Sequence, residues 1–382
     1  MKTLTFSSPF TTFKSLNRLN LTKTLATIKF PNVPIKPPPP DFDFRSEISE
    51  NSRVAIAKTH PELMDLVDNG SLVLIEKRIF GPVPSWRTEF VEPEEIWLVG
   101  TSHISQESAM DVKRVVEAVK PDNVVVELCR SRAGIMYTSN TNDSGPQLKS
   151  NMFSLSGAGF FGAVGRSLNL GGQTALALRL LLAIFSSKIS ADANRPFGDE
   201  FRAARIASEE IGAQLVLGDR PVEITLERAW NSLQWSDKLG LVLSVFRGIN
   251  SPSSDVSSNN LKDKEMNENP FQLYEMLSFS YPSLLQPLIH ERDTYLAWSL
   301  KRSKAVNNCK KVVGVIGKGH LNGVIYALIS DLGDLRFRDL CGDRSSSNGS
   351  SRWVDTLAKN LVRDTVIGVV LWGLYELIKT RL

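Results

Sequence analysis

Residues 94–108 read EEIWLVGTSHISQES, and the fold turns on how that stretch is parsed. Ile96 to Gly100 is a short, continuously apolar run, the pattern of a strand buried on both faces. The chain then leaves through Gly100-Thr101-Ser102-His103. Ser105 is placed to N-cap a helix, and Glu107 falls in the first turn, where an acid is favoured. Ala109, Val112, Val115, Val116 and Val119 follow at helical spacing, Pro121 and Asp122 end the helix, and NVVVEL begins the next buried strand at Asn123. This is a β-α-β unit, whose two strands should be parallel and near each other.

The pattern returns further along. FRAARIASEEIGA reads as a helix and QLVLGDR as a strand that ends at Asp219 and Arg220. KKVVGVIGKGHLNGVIYALIS reads as strand, glycine-rich turn, histidine and helix. SLVLIEK predicts an earlier strand, preceded by a helix from Ser49 through Asp65, and PLIHERDTYLAWSLKRS predicts an amphipathic helix. The expected fold is α/β, a largely parallel or mixed central sheet with flanking helices, a helical insert and a C-terminal apolar helix. The expected domain covers 46–342, with the insert at about 151–300 and a mobile Ser- and Asn-rich loop at 250–270. A Ser-rich hinge at 343–352 leads to C-terminal helices at 353–382.

The bulk properties are those of a globular chain: 42% hydrophobic and 23% charged residues, with a net charge of only +4. No basic cluster is interleaved with aromatics, which argues against a nucleic-acid partner. The three cysteines are too widely spaced for a CxxC pair or a disulfide framework.

Both ends are unusual. Residues 1–45 form a leader with a Pro-rich linker. The first 40 residues hold no Asp or Glu and are rich in Lys, Ser and Thr, which resembles a transit peptide, chloroplast more than mitochondrion. A disordered cytosolic tail is the alternative. Residues 41–47, DFDFRSE, loosely resemble the acidic-aromatic tracts that bind tethering proteins of the endoplasmic reticulum, an ordinary linker being the simpler reading. At the far end, Val366 to Tyr375 is uninterruptedly apolar and basic residues flank it, but Glu376 intervenes before Leu377 and Ile378. The 366–378 segment is short for a membrane span and reads as an interfacial or tail anchor, or as a helix docked on the main domain. A tail anchor in an outer organelle membrane would leave the amino terminus in the cytosol, in conflict with import.

Ligands of open α/β sheets collect beyond the carboxyl ends of the strands. Those ends carry His103, Glu127, Asp219 with Arg220, and His320. Two of only four histidines thus hold matched places in a repeated Gly-x-x-His, with Gly100 and Gly317 leading each. Imidazole suits zinc and, with carboxylate or water, manganese, cobalt or iron. Two histidines and Glu127 would make a small open site able to activate water, and Arg130, Arg220 or Arg292 could hold a substrate carboxylate. Two other readings stand beside it: hydrogen-bonded turn histidines, and anion binding at the two helix starts without a metal. HERDT at His290 is no zincin motif, because Thr294 holds the second histidine's place, and His60 reads as a surface or turn residue.

GTSHIS, VKPDNVVVELCRSR, GAQLVLGDRPVEITLERAW, ERDTYLAWSL and VVGVIGKGHLNGV together resemble the TraB/PrgY family of pheromone-shutdown proteins and their eukaryotic relatives, the plant TraB-domain proteins in particular. That family is similar to the Tiki metalloproteases. The resemblance implies a peptidase-like, metal-dependent hydrolase built on Gly100, His103, Glu127, Gly317 and His320. The implied ion is divalent: manganese, cobalt or zinc. Glu200, in FGDEFRAA, becomes a fourth ligand, and Arg130, Asp219, Arg220 and Arg292 match further family positions. The alternative is a membrane-anchored adaptor that keeps the fold without the catalysis, serving organelle tethering or signalling.

Overall fold

The computed structural model describes residues 35–83, 89–102, 105–137, 198–238, 240, 281–330 and 336–341. Two strands that are buried along almost their whole length sit side by side at the centre of a sheet: β2 (Glu95–Thr101) and β5 (Lys311–Gly317). They are parallel, with Ile96 opposite Val312 and Thr101 opposite Gly317. β3 (Asn123–Val126) runs parallel to β5 on its other side, and β4 (Gln214–Leu217) runs parallel to β3. β1 (Leu72–Glu76) closes the other edge antiparallel to β2. The order is β1-β2-β5-β3-β4, so the sheet is mixed. β2 and β3 are parallel as the β-α-β pattern predicts, but β5 lies between them. Asp122 helps to fix that insertion, its Oδ2 accepting the N–H groups of Lys310 and Lys311 at 2.8 and 3.0 Å.

Alternate residues of the strands feed two hydrophobic layers, as strand geometry requires. Trp97, Val99, Val313 and Val315 pack with Val112, Val115 and Val116 of α4 (Gln106–Val119) on one face. Helix α5 (Asp199–Ile211) joins that layer through Phe201, Ala204 and Ala207. Ile96, Leu98, Val312 and Ile316 pack on the other face. There they meet Leu296 and Leu300 of α7 (Glu291–Arg302), and Leu321, Val324 and Ile325 of α8 (Lys318–Ser330). Helices α4 and α8 therefore leave neighbouring parallel strands towards opposite faces. That divergence opens the crevice in which sheets of this kind place ligands. Gly100 sits inside β2 because α8 crosses it closely, and a Cβ there would overlap the Leu321 side chain.

The amino-terminal helices are α1 (Phe44–Glu47), α2 (Ser49–Thr59) and α3 (Met64–Asp68). One helix was expected from Ser49 to Asp65. Pro61, which cannot donate to the helical ladder, splits it, and a 3₁₀ turn at Pro61–Leu63 connects the halves. His60 closes α2 and sets its ring edge-on to Trp97, with centroids 5.4 Å apart. Packing begins before Ser49. The Phe42 ring meets Tyr326, its carbonyl accepts from Asn322 Nδ2 at 2.9 Å, and the Phe44 N–H donates to Asn322 Oδ1 at 3.1 Å. The acidic-aromatic tract 41–47 is thus laid against α8 with Phe44 buried.

β4, α5, α6 (Val222–Ser232) and α7 all fall within the stretch expected to be a helical insert, and they belong to the main domain. A short α9 (Phe337–Cys341) packs Leu340 beside Trp298. The helix expected at TALALRLLLAIF, the 250–270 loop, the 343–352 hinge, the C-terminal helices and residues 1–34 lie outside the described residues. Among the described residues, no helix is long and apolar enough to cross a membrane.

Candidate functional site

Glu127 directly follows β3, and its carboxylate ties three elements together. Oε2 accepts the N–H of Gly317 at the end of β5, at 2.9 Å. Oε1 accepts Nη2 of Arg292 at 2.7 Å and lies 3.4 Å from Nε2 of His320. His320, in the first turn of α8, is buried, and both ring nitrogens meet α7. Nδ1 is 2.6 Å from Asp293 Oδ1, and Nε2 is 3.2 Å from Arg292 Nη1. Asp219, just past β4, receives Arg292 through Nε at 3.2 Å and Nη2 at 2.9 Å, pairs with Arg132, and accepts the Arg220 N–H at 2.7 Å. Arg132 also donates to the Glu127 carbonyl at 3.3 Å. All of these side chains are buried or nearly so.

Burial on this scale is tolerable only because opposite charges meet. Burial pulls His320 towards its neutral form, and Arg292 pushes the same way. The charges of Glu127 and Asp293 outweigh both and hold the ring above the usual histidine pKa. Burial raises the Asp293 carboxyl above the usual range, against the pull of His320 and Arg292.

The donors fit a divalent ion in part. Ligands about 2.1 Å from a tetrahedral ion are about 3.4 Å apart, and Nε2 of His320 and Oε1 of Glu127 stand at 3.4 Å. An Nδ1 held by a carboxylate is the usual support for a ligating histidine. Among the described residues no group of three or more His, Cys, Asp or Glu side chains is arranged around one ion position. His103 lies outside the described residues. Glu200 is fully buried in the first turn of α5. The Arg292 guanidinium reaches both Nε2 and Oε1, so a cation already faces this pair.

Of the arginines read from sequence, only Arg292 joins Glu127 and His320. Arg130 is exposed just after β3. Arg220 is fully buried but turned away from the site. It donates to Thr225 Oγ1, Glu291 Oε2, the Pro287 carbonyl and the Leu340 carbonyl, which leaves it unsuited to hold a substrate carboxylate. Gly100 serves the packing of α8, whereas Gly317 reaches Glu127 through its backbone. Sequence reading missed Arg132 and Asp293. Asp293 did leave a signal: with Leu296, Ala297 and Leu300 it falls on the apolar face of α7, where a carboxylate needs a partner.

A model of the TraB/PrgY/gumN family matches residues 84–329, which include every strand of the sheet after β1 and every residue of this network. The chain belongs to the TraB/PrgY/gumN family. A TraB domain-containing protein of Bos taurus is 26% identical over 324 residues, covering 78% of this chain and 82% of that protein. Its Homo sapiens counterpart is 28% identical over 294 residues, 71% and 74% of the two chains. An uncharacterised protein of Methanocaldococcus jannaschii is 25% identical over 234 residues, 61% of this TraB-family chain and 53% of its own length. The family match places the Glu127, Asp219, Arg292 and His320 network inside the shared domain.

Proposed function

We propose that the protein is a metal-dependent hydrolase of peptide bonds, with His320 and Glu127 holding a manganese, cobalt or zinc ion and His103 and Glu200 completing its ligands. The observation that supports this reading is the Nε2-to-Oε1 separation of 3.4 Å at the crevice between diverging helices, with the far side of the imidazole held by Asp293. When bound, the ion supplies Lewis acidity to a carbonyl and to water. Glu127 keeps Oε2 on the Gly317 N–H and turns Oε1 to its task. Arg292, once displaced from Oε1, offers a guanidinium to negative charge developing on the substrate. Exposed Arg130 is available for a substrate carboxylate. The test is cleavage of a quenched fluorescent peptide library by the full chain loaded in turn with manganese, cobalt and zinc. Cleavage that a chelator and His320→Ala each abolish supports the reading, and its absence with all three ions rejects it.

Arg292 supports a second reading. It already bridges Glu127, Asp219 and His320, so the network closes without an ion, as a non-catalytic scaffold would need. On that reading the chain is an adaptor in tethering or signalling, anchored through 366–378. A tether binding 41–47 would first have to lift Phe42 and Phe44 off α8. Complementation by His320→Ala, with failure of a chain ending at Asn360, supports the adaptor, and the reverse result rejects it. The acid-free leader favours a chloroplast or mitochondrial address, which import of a leader fusion tests.

A further inference from the structure

Two consecutive residues of α7 address the two nitrogens of one imidazole. Arg292 faces Nε2 of His320 at 3.2 Å, and Asp293 faces Nδ1 at 2.6 Å. A carboxylate can only accept from Nδ1, and a guanidinium can only donate to Nε2. The pair therefore selects one tautomer of the neutral ring, with the proton on Nδ1 and the lone pair on Nε2 facing the Arg292 guanidinium, 3.4 Å from Glu127 Oε1. Asp293 reaches Nδ1 only because α8 carries no side chain at Gly323. A Cβ there would overlap Asp293 Oδ2 and come within 2.6 Å of its Cγ. Both contacts are between α7 and α8, and the Asp293 side chain is enclosed.

We propose that Asp293 is the positioning residue that sets the tautomer and direction of His320, and that Gly323 is glycine to admit it. The proposal deepens the hydrolase reading, since only this tautomer offers Nε2 to an ion or as a base. The tautomer itself can be read with no ion present.

The experiment is long-range ¹H–¹⁵N spectroscopy of the full chain with ¹⁵N-labelled histidine, metal-free and at alkaline pH where the ring is neutral. Loss of one signal set in His320→Gln assigns it. The wild type is expected to show a pyrrole-like Nδ1 and a pyridine-like Nε2. Asp293→Asn, which keeps the shape, is expected to shift the ring towards the opposite tautomer, because the amide can donate to Nδ1. Gly323→Ala is expected to do the same by pushing Asp293 away. A folding failure of Gly323→Ala leaves Asp293→Asn to decide. In cobalt titrations, Asp293→Asn is expected to weaken binding about 10- to 100-fold. A proton on Nε2 in the wild type, or a ring unmoved by Asp293→Asn, overturns the proposal. A wild type that binds no cobalt but shows the tautomer change upholds Asp293 and removes the hydrolase reading instead.

Discussion

Asp219 and Arg292 pair at 2.9 Å, and their chain neighbours Arg220 and Glu291 pair beside them at 2.5 Å. One rung of this double ladder reaches Glu127 and His320, and the other reaches α6 through Arg228 and α9 through the Leu340 carbonyl. The rungs have different tasks, which mutation separates. Arg220→Met removes one of the two cations on Glu291, Arg228 keeping the other, and leaves the Pro287 and Leu340 carbonyls without their donor. It should lower the unfolding free energy by about 1–3 kcal/mol. Urea denaturation measures that loss, while the folded variant should keep wild-type cobalt affinity. Weakened cobalt binding with unchanged stability would assign Arg220 to the site instead.

The close crossing of α8 over β2 gives a second prediction. Gly100→Ala should cost about 1–3 kcal/mol by overpacking against Leu321, and Leu321→Ala should cost about 2–5 kcal/mol by leaving a cavity. The double variant should be more stable than the sum of the two losses predicts, because the new methyl enters the vacated space. Additive losses in urea titrations would show that the two side chains do not meet.

The strands were legible because β2, β3 and β5 are buried on both faces and so read as continuous apolar runs, IWLVG, NVVV and KVVGVIG. Their order was not, since the seating of β5 between β2 and β3 depends on contacts far apart in the chain. His320 and Glu127 were legible as strand-end residues. Arg132 was hidden behind Arg130 because a turn after β3, with the Arg132 N–H on the Cys129 carbonyl, decides which arginine faces inward. Asp293 is masked by the charged pair Glu291-Arg292 that precedes it, although its place on the apolar face of α7 marks it. The break at Pro61 was readable from the proline alone.

His320 should make stability pH-dependent. Its folded pKa is raised, since Glu127 and Asp293 prevail over burial and Arg292. The stabilisation is complete below the unfolded value of about 6.5 and is lost as pH rises through the folded pKa. Unfolding free energies of the metal-free chain, taken from pH 6 upwards, should fall across that window and do so less in His320→Gln. Identical slopes in the two proteins would show that the carboxylates do not hold the ring charged.

The most direct measurement is equilibrium binding of cobalt to the purified full chain, followed by its visible absorption. The account predicts uptake of about one ion with the intense bands of low-coordinate cobalt, abolished in the His320→Ala and Glu127→Gln double variant. A wild type that takes up no ion, or a double variant that binds as well as the wild type, contradicts a metal centre at His320 and Glu127.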